Sequence, residues 1–209
     1  MLKGYAGRIL RVNLATRKSS VEPLKEREVE LLLGGRGIAA KYYHDEIAPS
    51  VDALSPENKI IFMTGPLTGT ALVSTTKFQL STKSPETRMY LCSNCGGDFG
   101  PQLKKAGFDG IIVEGKAKAL TWLSLKDGTL EFHDASAWKG FTSTRTLEEM
   151  RAAFGEAKAG AMSIETRKPQ SNQHTPSGAP RSPGTGARTH CMQVRRSCIP
   201  YRPYSLIRY

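Results

Sequence analysis

The chain has 209 residues, 39 % of them hydrophobic, and 30 basic against 19 acidic side chains give a net charge of +11. That length supports one sizeable domain or a domain with an appendage, and a hydrophobic share below the roughly 45–50 % of ordinary globular chains points to a stretch that builds no core. Four cysteines in a chain this long do not make a secreted disulfide scaffold, the N-terminus lacks the apolar run of a signal peptide, and nothing approaches the roughly 18 apolar residues of a membrane span. A soluble, cytoplasmic protein with no membrane partner is expected.

The elements follow in chain order. Arg8–Leu14 alternates imperfectly and reads as a strand; Ala15–Lys18 is a turn, and Ser19–Glu22 returns as a second strand that Pro23 ends. Lys25–Leu33, rich in Glu and Leu, predicts a short helix. Gly34-Gly35-Arg36-Gly37 breaks it, and Ile38–Tyr43 begins another. Pro49–Asn58 is loop, Lys59–Thr64 a buried strand, and Gly65–Thr70 a second loop. Lys77–Thr82 is strand-like, Pro101–Ala106 a short helix, and Asp109–Glu114 another buried strand.

Leu120–Leu125 and Leu130–His133 flank Lys126-Asp127-Gly128-Thr129, and Asp-Gly between two apolar-patterned runs is a strong hairpin signal. Ser143–Phe154 is a helix that Ser143 could cap, with Thr146, Leu147, Met150 and Phe154 at near-helical spacing. Two hairpins, each beside short helices and a further strand, hint at an internal duplication. Short hairpin connections favour an antiparallel α+β domain over a parallel array.

Charge divides the chain in two. Residues 1–164 carry 22 basic and 18 acidic side chains, whereas 165–209 carry 8 basic and one acidic, together with 6 of the 12 prolines. Only Val194, Ile199, Leu206 and Ile207 represent the Leu/Ile/Val/Phe set in that tail. So few apolar residues build no core, and disorder is expected there.

The segment that organises the rest is Leu80–Glu114, centred on Cys92-Ser93-Asn94-Cys95-Gly96-Gly97-Asp98-Phe99-Gly100-Pro101. Small, polar and glycine residues just before a helix present backbone N–H groups, which favour a phosphate or another anion. Lys77 stands upstream of it.

Several short motifs occur in order: Gly4–Leu14, Gly34–Gly37, Pro56–Lys59, Thr64–Thr70, Thr82-Lys83-Ser84-Pro85, Ser93–Gly97, Phe99–Pro101 and Lys104–Asp109. Each alone is weak; in register from about Leu2 to Ile164 they are specific. This series resembles the N-terminal domain of the tungsten-containing aldehyde ferredoxin oxidoreductases. The resemblance implies an α+β fold of two similar antiparallel β-rich halves with short helices. It assigns 1–164 to this pterin-contacting domain and leaves 165–209 as a basic tail.

In that family a tungsten (or molybdenum) ion held by two pterin dithiolenes oxidises an aldehyde to a carboxylic acid, and a [4Fe–4S] cluster passes electrons to ferredoxin. The resemblance places pterin contacts at Lys77, Asn94 and Gly96, and a magnesium ion on the Asn94 backbone carbonyl. Lys77 stands where the family commonly has arginine, so the positive charge is kept and the bidentate fork is lost. Between the Thr82–Pro85 and Ser93–Asn94 motifs the family carries more glycine than Glu86–Cys92 does here. It implies no catalytic side chain within 1–164. The family continues differently after Ile164, and the shift to Arg, Pro, Ser and Thr reads as translation in another frame. The cluster cysteines and the second pterin motif belong to the part of the family this chain lacks. The 209 residues alone are therefore expected to be inactive.

Other readings were weighed on the residues themselves. Cys92-x-x-Cys95 with Cys191 and Cys198 could be called a metal site, but Cys191-x6-Cys198 is not a usual spacing, and the first pair reads as small loop residues. Gly34–Gly37 could bind phosphate, and reads better as a helix C-cap and chain reversal. His44 and His133 are isolated and receive no catalytic role. The alternative function is a standalone β-rich module binding RNA or a phosphorylated ligand, its basic tail bearing Tyr201, Tyr204 and Tyr209. A solvated tail without nucleic-acid binding is the favoured reading. Neither aldehyde specificity nor oligomeric state is legible.

Overall fold

The computed structural model describes residues 3–155 and 160–162. Strands β1 (Arg8–Asn13) and β2 (Lys18–Pro23) form the first hairpin, followed by helices α1 (Glu26–Leu32) and α2 (Gly35–Glu46). Strands β3 (Lys59–Thr64), β4 (Phe78–Lys83) and β5 (Tyr90–Cys95) come next, then α3 (Phe99–Lys105) and β6 (Gly110–Glu114). The second hairpin, β7 (Thr121–Lys126) and β8 (Thr129–Asp134), precedes one 3-10 turn at Ser136–Trp138 and helix α4 (Ser143–Phe154).

Six strands make one sheet in the order β2-β1-β6-β3-β4-β5, and β7-β8 stand as a separate pair. The centre of the sheet is apolar without interruption, Ile-Ile-Phe-Met in β3 and Ile-Ile-Val in β6, because both faces are covered. On one face Ile9, Ile61, Met63 and Ile112 pack against Val29 of α1 and Ile38, Ala39 and Tyr42 of α2. On the other, Leu10, Phe62, Leu80, Ile111 and Val113 pack against Phe99 and Leu103 of α3 and against Leu123 and Leu125 of β7. The opposite face of that hairpin offers Trp122 to Leu147 and Met150 of α4. The stack is thus two helices, sheet, hairpin with α3, and a last helix.

The α+β class holds. Asp127 (φ 48°) and Gly128 (φ 84°) both take the left-handed conformation that a two-residue hairpin turn demands. Each hairpin is followed by helix, as the pattern anticipated, but β1-β2 joins the large sheet while β7-β8 stays apart. Four details differ from the sequence reading. β1 pairs with β6 in parallel, since the chain between them crosses the sheet rather than turning back on itself. Tyr90–Cys95, read as loop, is the edge strand β5. Gly35-Arg36-Gly37 opens α2 and Leu33 (φ 61°) is the C-cap of α1, while Gly35 (φ 49°) takes the positive φ expected of the glycine reversal. Thr142, not Ser143, caps α4, its Oγ1 accepting from the Arg145 N–H at 3.3 Å. The tail 165–209 lies outside the described residues.

Candidate functional site

One end of the sheet gathers the glycine motifs. There β3 ends at Thr64, β4 begins at Phe78, β5 ends at Cys95, and β1 and β6 begin at Arg8 and Gly110. Contacts between the loops are tight. A Cβ at Gly34 would lie 3.1 Å from the Thr64 carbonyl and 3.3 Å from Gly65 Cα, so α2 starts directly against the Gly65–Thr70 loop. A Cβ at Gly100 would meet both Thr68 Cγ2 and the Thr76 carbonyl at 3.1 Å, and one at Gly69 would meet Pro101 Cα at 3.3 Å. Gly-Pro-Leu-Thr-Gly and Phe-Gly-Pro are therefore two halves of one packed corner.

Within it, Thr68 is the hub. Its buried hydroxyl donates to the Lys77 carbonyl at 3.0 Å and accepts from the Gly65 N–H at 3.1 Å. That fixes the backbone of Lys77 at the entrance to β4. Lys77 itself is exposed and forms no ion pair with any described residue. Across the ladder Phe78 faces Cys95 and Gln79 faces Asn94, so Lys77 stands one step beyond the last pair, at the level of Gly96. The Asn94 side chain is exposed and engages no described residue. A Cβ at Gly96 would meet only Thr76 Oγ1, at 3.8 Å, and one at Gly97 (φ 105°) would meet nothing within 4 Å. The three residues that the resemblance names thus share one corner on the edge of the sheet: a cation and an amide that engage no described residue, and bare backbone.

The face that carries Asn94 continues polar. Gln79, 4 % exposed, donates from Nε2 to the Ser93 carbonyl at 2.6 Å and lies 2.8 Å from Cys92 Sγ, which steadies β5 behind Asn94. Tyr90 hydroxyl and Ser81 Oγ lie 2.8 Å apart. Burial, with the Cys92 thiol adding to it, pushes the Tyr90 phenol above its usual value, against the Ser81 hydrogen bond and the charge of Arg36. Cys92 and Cys95 are three apart in a strand, so their side chains leave opposite faces; Cys95 packs on the apolar core and Cys92 beside Gln79. They cannot chelate one ion together. Sequence reasoning missed Thr68 and Gln79. A glutamine inside an otherwise apolar strand was the available signal for the second; nothing local marked the first.

These residues suit the anionic end of a phosphorylated cofactor. A lysine unpaired among the described residues, at the mouth of a glycine turn whose backbone no described side chain screens, is the donor set phosphate needs. The described residues include no helix long and apolar enough to cross a membrane.

Comparison with known proteins places the chain in a family. The family model for the aldehyde ferredoxin oxidoreductase N-terminal domain matches residues 9–167. The tungsten-containing aldehyde ferredoxin oxidoreductase of Pyrococcus furiosus is 42 % identical over 161 residues, which cover 77 % of this chain and 27 % of that enzyme. The corresponding protein of Pyrococcus abyssi is 40 % identical over 161 residues. An aliphatic sulfonate oxidoreductase, WOR-like subunit, of P. furiosus is 35 % identical over 139 residues. Among solved structures, a chain of the active-site complex BamBC of benzoyl coenzyme A reductase, in complex with 1,5-dienoyl-CoA, superposes with a TM-score of 0.74 at 35 % identity. That match covers 76 % of this chain and 24 % of the other. The chain spans about a quarter of the length of these tungsten enzymes. The match extends over most of the chain and includes the sheet, both helical layers and the glycine corner, and the chain accordingly belongs to the aldehyde ferredoxin oxidoreductase family, of which it represents the N-terminal domain.

Proposed function

We propose that the corner built by Lys77, Asn94 and Gly96 is one wall of a tungsten (or molybdenum) bis-pterin site in an oxidoreductase that converts an aldehyde to a carboxylic acid. The observation that carries this reading is the convergence of a lysine and an asparagine, neither paired with any described residue, on the open backbone of Gly96 and Gly97. When bound, such a centre supplies the two-electron redox chemistry, and the protein supplies binding, orientation and electrostatics. Here Lys77 offsets phosphate charge as a mobile ammonium. The N–H groups of Gly96 and Gly97 approach the phosphate without interference from a Cβ. The Asn94 carbonyl, on edge strand β5, would hold a magnesium ion beside the pterin phosphates. Gln79 and Thr68 hold those backbones in place.

Ferredoxin as electron acceptor and a [4Fe–4S] cluster as the route to it are parts of the same reading. Both belong to regions of the longer relatives that these 209 residues do not span. The chain by itself is read as a cofactor-facing wall without turnover. Purified chain incubated with an aldehyde and a viologen acceptor is expected to reduce none. Turnover, or a [4Fe–4S] absorption spectrum from the chain alone, would overturn this. A pterin phosphate titrated onto the chain should bind, and Lys77→Ala should weaken it about 10-fold, the loss of one charge-assisted contact; undiminished binding by Lys77→Ala removes the assignment.

A further inference from the structure

The Thr82-Lys83-Ser84-Pro85 motif takes no part in that corner. At ~3.3 Å per residue, Lys83 lies about 20 Å from Lys77, at the far end of β4. Lys83 is only 5 % exposed. An ammonium removed from water needs an anion or a full set of acceptors. Of its three donors, one reaches the Pro49 carbonyl at 2.6 Å, and Lys83 forms no ion pair with any described residue.

Lys83 and the Pro49 it reaches both line a cleft of about 410 Å³, whose lining includes Ser50, Asp52, Leu54, Pro85 and Arg88. Both walls are fixed. Buried Asn58 donates to the Ala53 carbonyl at 2.7 Å and accepts from the Lys83 N–H at 3.4 Å, tying the 49–58 loop to β4. The turn after β4 is closed by Ser84 N–H to the Met89 carbonyl and by Arg88 N–H to the Ser84 carbonyl, both 2.9 Å. That turn holds Arg88 at φ 57°, a left-handed conformation that glycine adopts freely and a long side chain rarely does. The Arg88 side chain is exposed and pairs with no described residue. Asp52 is the one carboxylate in the lining, and its Oδ1 is engaged by the Leu54 N–H at 2.8 Å.

We propose that this cleft binds the phosphate group of a small phosphorylated ligand, with Lys83 as the buried point charge and Arg88 as the guanidinium fork at the rim. Two cations against one carboxylate already held in a turn match a dianion. A volume of about 410 Å³ also leaves room for an organic part beside the phosphate. The site is separate from the glycine corner and stands whether or not that corner holds a pterin.

The test is calorimetric titration of the full chain with inorganic phosphate, glycerol 3-phosphate and acetate. Phosphate or the monoester should bind, and acetate should not. Arg88→Gly should weaken binding at least 10-fold while the melting temperature holds or rises, because glycine relaxes the left-handed turn; loss of fold then cannot explain loss of binding. Lys83→Met should abolish binding, and Lys77→Ala should leave it unchanged. Failure of wild type to bind either phosphate at millimolar concentration, equal binding of acetate, or an Arg88→Gly variant with undiminished affinity would each overturn the proposal. So would loss of binding in Lys77→Ala, which would place the anion at the other corner. Should Lys83→Met not fold, Arg88→Gly and Lys77→Ala decide.

Discussion

Lys59 and Lys77 enter neighbouring strands of one sheet from opposite ends, and their surroundings are opposites too. Lys59 reaches Glu46 at 2.5 Å and Glu114 at 3.1 Å. Glu46 in turn takes both Nη groups of Arg11, whose Nε holds Glu22 at 2.5 Å. Five charges from four strands and the end of α2 are thereby closed into one network, and nothing is left to offer a ligand. Lys77 meets no carboxylate of a described residue and faces bare glycine backbone. The first arrangement spends its charge on joining β1, β2, β3 and β6 to α2; the second leaves charge available. Pairing, not the presence of a lysine, separates a charge that holds the fold from one that can bind.

The largest test lies beneath the glycine corner. Asp109, 2 % exposed, accepts from the Ala6 and Gly7 N–H groups at 3.1 and 2.7 Å and pairs with Lys104. Asp109→Ala leaves two backbone donors unpaired and the nearly buried Lys104 ammonium with only the Gly4 carbonyl at 2.7 Å, so a loss of about 3–5 kcal/mol is expected in denaturant unfolding. A loss under about 1 kcal/mol would mean that the N-terminal segment is held by something else.

Next comes the closed network. Glu46→Gln should cost about 1–3 kcal/mol, the worth of its charge-assisted hydrogen bonds after partial solvent screening. Burial tends to raise the Glu46 carboxyl, but hydrogen bonds from Arg11 and Lys59 outweigh it and hold the group below its ordinary value of 4.5. A depressed carboxylate stabilises the fold fully above that ordinary value and loses its contribution as pH falls through the folded one. Wild type should therefore lose stability on acidification below about pH 5, and Glu46→Gln should show a shallower decline over that window; identical slopes would remove Glu46 as the cause.

The open corner should respond least in stability and most in binding. Lys77→Ala is expected to shift unfolding by no more than about 0.5 kcal/mol, since no described partner is lost. A larger shift would make Lys77 a second Lys59. Gly96→Ala should be smaller still, because its Cβ meets only Thr76 Oγ1 at 3.8 Å. The same methyl should lower affinity for a pterin phosphate, read by titration.

Family resemblance points to Lys77, Asn94 and Gly96, and the β4–β5 register sets Asn94 opposite Gln79 and Lys77 at the level of Gly96. The helix and hairpin signals that held were those with a local cause: Asp127-Gly128 at a two-residue turn, and the spacing of Leu147 and Met150 in α4. Apart from the shift of the α4 cap to Thr142, what failed was decided by partners outside the segment itself. Tyr90–Cys95 is polar and half exposed, and becomes a strand only because β4 offers it a ladder. Gly35–Gly37 becomes a helical turn because the Gly65–Pro66 loop packs against Gly34.

The sequence by itself determined the α+β class, the family and the charge division at about Ile164, since these rest on residue type, short spacing and order. Tertiary structure alone decided the parallel pairing of β1 with β6, the edge position of β5, and which charges are paired. Those outcomes depend on partners beyond any local pattern, from Arg11 with Glu46 to Ile9 with Gly110 and Gly7 with Asp109, the last two pairs some hundred positions apart.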